Sequence, residues 1–202
     1  MEYLLEEPIK PDEILGGAIY LYKNVFKDAN SLISRIEKEA SNSDSGLFYD
    51  RATTTAGAWD GPRKNLLMPL TECARRGNEL AKEVHNRFGF TLDRALKTYA
   101  EDFDTWYTWH ESYSLLKYRG EKKEHYDAHY DGHTQSGRWI SAVLYLNDDY
   151  LGGEIEFPHY DVKIKPEAGT LVLFPSNYAY RHIAHEVTSG IKYALVTWIH
   201  DN

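Results

Sequence analysis

The sequence predicts an α+β fold that is mainly β: a double-stranded β-helix, or jelly roll, with N-terminal helices packed on one sheet. After Trp106 the chain contains eight short β-rich segments separated by turn residues, and a jelly roll has that number of strands. Before Trp106, two segments show the apolar period of amphipathic helices. The 202 residues are most simply one domain, with residues 1–105 as a helical and loop support region and residues 106–202 as the jelly-roll core.

The first half of the chain contains two predicted helices and a long connection. Asp28 is placed to cap a helix that runs to about Ala40, with apolar residues along one face. Thr71 opens a second predicted helix, whose apolar stripe ends at Gly89. Between them, residues 41–68 are rich in Ser, Thr, Gly and charge and are predicted to form a long loop. Loops of that length in a compact domain are usually functional.

The second half alternates β-rich segments with Gly, Pro, Asn and Asp. The eight predicted strands are Ser112–Tyr118, Glu124–Asp131, Trp139–Leu146, Glu154–Phe157, Asp161–Ile164, Thr170–Phe174, Arg181–His185 and Tyr193–Ile199.

Composition limits the classes of function. The net charge of -8 argues against a nucleic acid partner, because binding to phosphate backbones requires a basic face. No apolar run is long enough to cross a bilayer, and the acidic N-terminus lacks the core of a signal peptide. Cys73 is the only cysteine, which excludes an internal disulfide and a multi-thiolate zinc site. These features predict a cytoplasmic protein without a membrane partner.

The run from residue 125 to residue 133 carries His or Asp at every second position. In a strand, such residues share one face, so the run would project imidazoles and carboxylates into one pocket. Two His and one carboxylate suit non-haem Fe(II). A polar, solvent-facing strand explains the same alternation equally well. Two overlapping pairs also compete, His125 with Asp127 and His129 with Asp131, and spacing alone does not choose between them.

The order of motifs from about residue 112 onward resembles the 2-oxoglutarate- and Fe(II)-dependent dioxygenases, specifically the prolyl 4-hydroxylase branch. The matching landmarks are Tyr126-Asp-Ala-His129-Tyr-Asp131, Arg138, Tyr145-Leu146-Asn147, Gly152-Gly153-Glu154 with Phe157, Gly169-Thr170 with Phe174-Pro175-Ser176, and His182 through Lys192 to Trp198.

The resemblance implies a metal site. The family pattern Tyr-x-x-His-x-Asp selects His129 and Asp131 as two ligands, and leaves His125 and Asp127 beside the metal or at its entrance. The distal histidine of the family precedes the basic co-substrate residue by ten positions, which selects His182 with Lys192 as that base. His185 is the alternative distal ligand. His159 and His200 are interpreted as surface residues.

The resemblance also implies the remaining site residues. Lys192 would receive the co-substrate carboxylate that does not touch iron, Tyr145 would add a hydroxyl to the same carboxylate, and Tyr118 would lie near the iron-bound end. Arg138 and Trp198 fall where prolyl 4-hydroxylases contact or frame the prolyl substrate. The loop around Trp59-Asp60-Gly61-Pro62 is expected to close over a peptide.

The implied activity is that of a dioxygenase similar to the procollagen-proline 4-dioxygenases. It would use Fe(II), 2-oxoglutarate and O2, with ascorbate as reductant, to 4-hydroxylate prolyl residues in a peptide or protein. Two alternatives stay open: the same chemistry on a free amino acid or another small molecule, and a catalytically silent jelly-roll binding module.

Overall fold

The computed structural model describes residues 7–52, 62–132 and 137–200. Within these ranges the helices are α1 (Ala29–Ala40), α2 (Leu70–Arg75) and α3 (Glu79–Asp102). The strands of the first half are β1 (Glu13–Leu15), β2 (Ile19–Tyr22), β3 (Asp50–Arg51), β4 (Arg63–Lys64) and β5 (Leu66–Met68). Those of the second half are β6 (Trp109–His110), β7 (Ser114–Arg119), β8 (His125–His129), β9 (Arg138–Tyr145), β10 (Leu151–Gly152), β11 (Ile155–Phe157), β12 (Val162–Ile164), β13 (Leu171–Pro175), β14 (His182–Ala184), β15 (Val187–Ser189) and β16 (Ile191–His200).

The strands form two main sheets, and all of their pairings are antiparallel. The major sheet has nine strands in the order β1-β2-β13-β9-β16-β7-β5-β3, with β6 beside β16. The minor sheet has the order β12-β11-β14-β8-β4, and β10 pairs with β15. The two sheets and their helical cover form the mainly β jelly roll that the sequence predicts.

The major sheet is covered on both faces, and the alternation along β13 shows how. Leu171 and Leu173 join the large core built with the helices. Val172 and Phe174 point the other way and pack against the minor sheet. A strand buried on both faces reads as an unbroken apolar run, which is the pattern of β13. Each such side chain contributes about 1.5–3 kcal/mol through burial.

The first predicted helix is confirmed as α1, although its start differs in detail from the expectation. Asp28 occupies the N-cap position, but its backbone is left-handed (φ 59°) and its side chain makes no capping hydrogen bond. Leu32 and Ile36 are buried, as the apolar period predicts. Packing of this face rather than a side-chain cap therefore stabilises α1.

The second predicted helix was wrong in its bounds. The segment divides into α2 and α3, and Asn78 begins α3 by accepting a hydrogen bond from the amide of Ala81 (2.7 Å). Helix α3 continues through Gly89 to Asp102. A Cβ at Gly89 would lie 3.1 Å from the Tyr113 hydroxyl, so this glycine permits close packing inside the helix and does not end it.

The support region was predicted without strands, and this prediction was wrong. Residues 7–105 contribute β1–β5, and the four residues of β2 are all buried in the major sheet. Part of the predicted 41–68 loop forms β3, β4 and β5, whose two or three residues are too few to show a period. Trp59, Asp60 and Gly61 lie outside the described residues.

All eight strands predicted after Trp106 are confirmed, and their observed bounds differ from the predicted ones by at most two residues. Strong local turn signals explain this agreement, because they limit where each short strand begins and ends. Among the helices in the described ranges, none has the length and apolar character that a bilayer span requires.

Candidate metal and co-substrate site

The pairing of β8 with β14 brings two histidines face to face. His129 ends β8 and His182 begins β14, and the two residues are direct cross-strand partners. Their ring centroids lie 4.3 Å apart, and the ring planes are tilted by 58°. The bulge that follows His182 in this ladder leaves the pair at the end of the two strands, where both rings reach one cavity.

Asp131 completes this group two residues beyond His129. Its Oδ1 lies 3.5 Å from His129 Nε2, and its Oδ2 lies 3.8 Å from His182 Nε2. One ligand atom from each residue lies within 4.8 Å of the others, and no other His, Cys, Asp or Glu group among the described residues is arranged in this way. The structure thus brings together the three residues that the sequence predicts as metal ligands.

Backbone carbonyls fix the orientation of both imidazoles. His129 Nδ1 lies 2.7 Å from the carbonyl oxygen of Asp127, and His182 Nδ1 lies 3.1 Å from that of Tyr180. Each Nδ1 must carry the proton to donate this hydrogen bond, so each Nε2 is left directed at Asp131. This is the tautomer that a metal-ligating histidine requires.

The protonation states are also those of a metal site. Burial lowers the pKa of His182 to about 4, against the opposing effect of Asp131. Burial alone would raise the pKa of Asp131, but His182, His129 and the Ser141 hydroxyl outweigh it and hold this pKa far below its usual range. At neutral pH the group therefore offers neutral imidazole from His182 and an ionised carboxylate, the forms that bind a metal cation.

Two contacts that sequence analysis missed support the candidate ligands. Ser141 Oγ donates a hydrogen bond to Asp131 Oδ2 at 2.6 Å and lies 2.8 Å from Ser176 Oγ. The ring of Tyr126 stacks on that of His129, with centroids 3.5 Å apart. Such partners orient ligands and adjust their basicity. Ser176 is remote from Ser141 in sequence, so no local pattern connects them.

The donor set fits Fe(II). Two imidazole nitrogens and one carboxylate on one side of a cavity leave coordination positions free for other ligands, which is the arrangement of non-haem Fe(II) oxygenases. The buried carboxylate has no arginine or lysine within ion-pair distance among the described residues, so a cation between the three side chains would offset its burial.

Lys192 places a second charge inside the same cavity. The residue is 2% exposed and lies on β16, opposite Tyr118 of β7. Its Nζ donates to the carbonyl of Gly153 at 2.7 Å and lies 5.2 Å and 5.1 Å from the ring centroids of Tyr118 and Tyr145. Both tyrosines are buried, and all three predicted co-substrate residues therefore meet at one end of the cavity.

The ammonium group of Lys192 has no carboxylate within 4.0 Å in the described ranges of the chain. Burial lowers the pKa of Lys192 to about 7, and Glu154 at longer range opposes this effect. A buried cation that lacks an ion-pair partner is costly unless an anion joins it. One carboxylate of a dicarboxylate ligand fits this requirement.

The cavity has a volume of about 520 Å³ with its open mouth included. The metal group and Lys192 lie in its wall together with aromatic and aliphatic side chains. Its lining residues are Arg63, Leu116, Tyr118, Tyr126, His129, Asp131, Val143, Tyr145, Ile155, His182, Ala184, Lys192, Ala194, Val196 and Trp198.

Trp198 lines the cavity, and Arg138 lies behind it. The Arg138 guanidinium carbon is 3.7 Å from the centroid of the Trp198 ring system. Its Nε and Nη2 donate to the two carboxylate oxygens of Glu111 at 2.6 and 2.8 Å. The indole Nε1 of Trp198 is buried and has no hydrogen-bond partner in the described part of the chain.

The remaining histidines of the described residues lie apart from the metal group. His185 Nε2 is 2.5 Å from Glu156 Oε2, so this alternative ligand is engaged elsewhere. His125 Nε2 lies 3.6 Å from Asp127, whose side chain is 64% exposed. His159 is exposed, as predicted. The surface prediction for His200 was wrong: it is 7% exposed, donates from Nε2 to Glu111 Oε1 at 2.9 Å and stacks on Trp109.

Comparison with known families agrees with this geometry. Residues 113–200 match the family described as the 2OG-Fe(II) oxygenase superfamily. This match covers slightly less than half of the chain. The matched segment contains β7–β16, and therefore the metal group, Lys192 and both candidate co-substrate tyrosines.

Curated relatives match less than half of the chain. A PKHD-type hydroxylase from Crocosphaera subtropica is 34% identical over 97 residues, which cover 44% of this chain and 43% of the relative. A probable prolyl 4-hydroxylase from Arabidopsis thaliana is 33% identical over 120 residues, covering 45% of this chain and 41% of that protein. The chain thus spans less than half the length of these relatives.

A solved structure shows the same fold over most of the chain. A prolyl hydroxylase from Trichoplax adhaerens, in complex with a peptide fragment of the hypoxia inducible factor oxygen degradation domain, superposes with a TM-score of 0.70 at 19% identity. The match covers 91% of this chain and 84% of the other. The N-terminal helices and strands, which no family motif predicts, therefore belong to the shared architecture.

Proposed function

We propose that the protein is a 2-oxoglutarate- and O2-dependent Fe(II) hydroxylase that 4-hydroxylates prolyl residues in a peptide or protein. One observation carries this proposal: a His-Asp-His group and a buried ammonium without a carboxylate partner in the described residues share one cavity. A metal-binding site alone would not need the buried cation, and a dicarboxylate site alone would not need the three ligands.

The overall reaction balances with one atom of O2 in succinate and the other in the new hydroxyl group. 2-Oxoglutarate is oxidised and decarboxylated to succinate and carbon dioxide, and the substrate C–H becomes C–OH. Fe(II), held by His129 Nε2, His182 Nε2 and a carboxylate oxygen of Asp131, would supply oxygen activation. The chain supplies the positions of the reactants and a largely apolar cavity.

Lys192 and the two tyrosines would hold the co-substrate. In this proposal the ammonium of Lys192 binds one carboxylate, and Tyr145 and Tyr118 flank it. The other end of 2-oxoglutarate would then face the metal group across the cavity. Because Lys192 is fixed to Gly153 and buried between rings, little reorganisation is needed when the anion enters.

Trp198 would form the wall against which the prolyl ring packs. Its indole is held from behind by Arg138, which is itself fixed by Glu111. The peptide-bound Trichoplax neighbour and the prolyl 4-hydroxylase relative support a prolyl substrate.

The test is succinate formation by Fe(II)-loaded protein with 2-oxoglutarate and ascorbate, with and without proline-containing peptides, and mass spectrometry of the peptides. We expect peptide-stimulated turnover and a mass gain of one oxygen on proline. His182→Ala should abolish turnover, whereas the matched variant His185→Ala should retain it because that ring pairs with Glu156 outside the cavity.

Other outcomes would redirect the assignment. Turnover stimulated by free amino acids but not by peptides would keep the chemistry and replace the substrate. A protein that binds the peptide but forms no succinate and retains no iron would be a silent binding module. That result would contradict the proposed enzyme.

A further inference from the structure

Arg63 lines the candidate catalytic cavity but belongs to the segment that the sequence predicted as loop. It lies on β4, at the edge of the minor sheet, directly opposite Tyr126 of β8. Its guanidinium carbon is 5.1 Å from the centroid of the Tyr126 ring, which stacks on His129. Its Nε donates to Asn65 Oδ1 at 3.0 Å. These contacts hold the guanidinium beside the metal group, and its two Nη groups donate to no described residue.

No carboxylate in the described part of the chain lies within ion-pair distance of Arg63. The contrast with other arginines is informative, since Arg35, Arg119 and Arg138 each bind a glutamate. The chain has 31 acidic and 23 basic residues, so an acidic partner would be easy to provide. A half-buried guanidinium in a cavity wall without one is therefore suited to bind an anion that the chain does not supply.

A second guanidinium lies on the other side of β8. Arg181, just before β14, is exposed and donates from Nη2 to the carbonyl of Ala128 at 3.2 Å. It forms no ion pair within the described residues. The strand that carries His129 is thus flanked by cations, Arg63 on one side and Arg181 on the other, although the whole chain has a net charge of -8. These two guanidiniums, which form no ion pair within the described residues, are available to an acidic ligand.

We infer that Arg63 binds a carboxylate of the primary substrate and so selects acidic substrates. The inference rests on the proposed function. The two ends of 2-oxoglutarate are already accommodated, one by Lys192 and one by the metal group, which leaves Arg63 for the second reactant. The carboxylate has two possible sources: an Asp or Glu side chain close to the target proline, or the α-carboxylate of free proline.

The experiment uses three peptides that differ only in the residues flanking one proline, which are Asp, Asn or Lys, together with free L-proline. Wild type is compared with Arg63→Gln, Arg63→Lys and Arg63→Glu. Lys64→Gln is the matched control, because it removes the same charge from the next position of β4, whose side chain points to the opposite face. Peptide affinity is measured by fluorescence anisotropy with Mn(II) in place of Fe(II), and kcat/KM is measured with Fe(II).

We expect Arg63→Gln to weaken binding of the Asp peptide, and to lower its kcat/KM, by about 10- to 100-fold, the usual loss for a charge-assisted hydrogen-bonded pair. The Asn peptide and the KM for 2-oxoglutarate should change little. Arg63→Lys should restore part of the loss, Arg63→Glu should favour the Lys peptide, and Lys64→Gln should resemble wild type. If free proline alone shows the dependence on Arg63, the α-carboxylate is the ligand.

Three results would overturn the inference. The first is that wild type binds the Asp peptide, the Asn peptide and free proline equally. The second is an equal loss for all three ligands in Arg63→Gln, and the third is a loss in Arg63→Gln that is confined to the KM for 2-oxoglutarate. Because anisotropy requires no turnover, the two proposals separate. Arg63-dependent binding without hydroxylation would refute the proposed function alone. Thermal unfolding and iron content of each variant exclude misfolding as the cause.

Discussion

Replacement of Lys192 by Met tests whether this residue is a buried cation reserved for an anion. Methionine has a similar length, and its side chain carries no charge. In the ligand-free protein, the pKa of Lys192 falls from 10.5 to about 7 because of burial. Each pKa unit corresponds to 1.36 kcal/mol, so holding the ammonium in the folded chain costs about 5 kcal/mol. The hydrogen bond to Gly153 returns about 1–3 kcal/mol, and Met loses it.

The sign of the pH dependence follows from the direction of this pKa shift. Below pH about 7 the group is protonated in both folded and unfolded chains, so the full cost is present. Between about 7 and 10.5 the unfolded chain binds more protons, and wild-type stability rises with pH until the cost is lost. Lys192→Met should therefore be more stable than wild type by about 2–4 kcal/mol near pH 6, with the difference falling towards zero near pH 9–10.

The assay is urea unfolding of both proteins without ligand across this pH range, followed by thermal unfolding with 2-oxoglutarate. The co-substrate at about 100 times its Kd should stabilise wild type by about 2.7 kcal/mol, and it should not stabilise Lys192→Met at the same concentration. The reasoning is refuted if Lys192→Met is less stable than wild type at pH 6, and by the same amount at pH 9. That result would mean that the ammonium is already neutralised within the protein.

Three further substitutions follow from single contacts. Ser141→Ala removes the 2.6 Å hydrogen bond to Asp131, so iron should dissociate about 10- to 100-fold more readily in a chelator competition, and an unchanged affinity would contradict this orienting role. Glu111→Gln weakens the contact that fixes the guanidinium behind the indole; peptide KM should rise about tenfold with the KM for 2-oxoglutarate unchanged, and parallel rises would instead indicate general disruption. Gly120→Ala would place a Cβ 2.6 Å from the backbone nitrogen of Ser189, which should lower the free energy of unfolding by about 1–3 kcal/mol in urea titration. An unchanged free energy of unfolding would show that the β15–β16 connection shifts without cost.

The strands after Trp106 were predictable because their signals are local. Alternation and turn residues determine a short strand within a few positions, and an H-x-D pair on one strand needs no knowledge of the rest of the chain. The same logic failed for β2 and for β3–β5. Their place in the sheets depends on partners far away in sequence, and two or three residues carry no period.

The candidate site shows the same division between local and distant information. His182 was selected because the resemblance implies a distal histidine ten positions before Lys192, and the structure places its ring beside His129 across a strand pair. Arg63 and Ser141 were not found, because each reaches the site through a contact between elements and not through a motif. Sequence patterns thus predict residues that share a strand or a fixed spacing, and they miss residues that fold topology alone brings together.

The arrangement of the two sheets explains why these residues form one site. His129 and His182 lie on the minor sheet, whereas Lys192, with Tyr118 and Tyr145 beside it, lies on the major sheet. Facing sheets pack about 10 Å apart, a separation that a five-carbon dicarboxylate can bridge. The ligand that joins the metal to Lys192 must therefore cross the gap between the sheets. The packing of the two sheets therefore limits the length of a ligand that can contact both the metal group and Lys192, while the helices bury the opposite face of the major sheet.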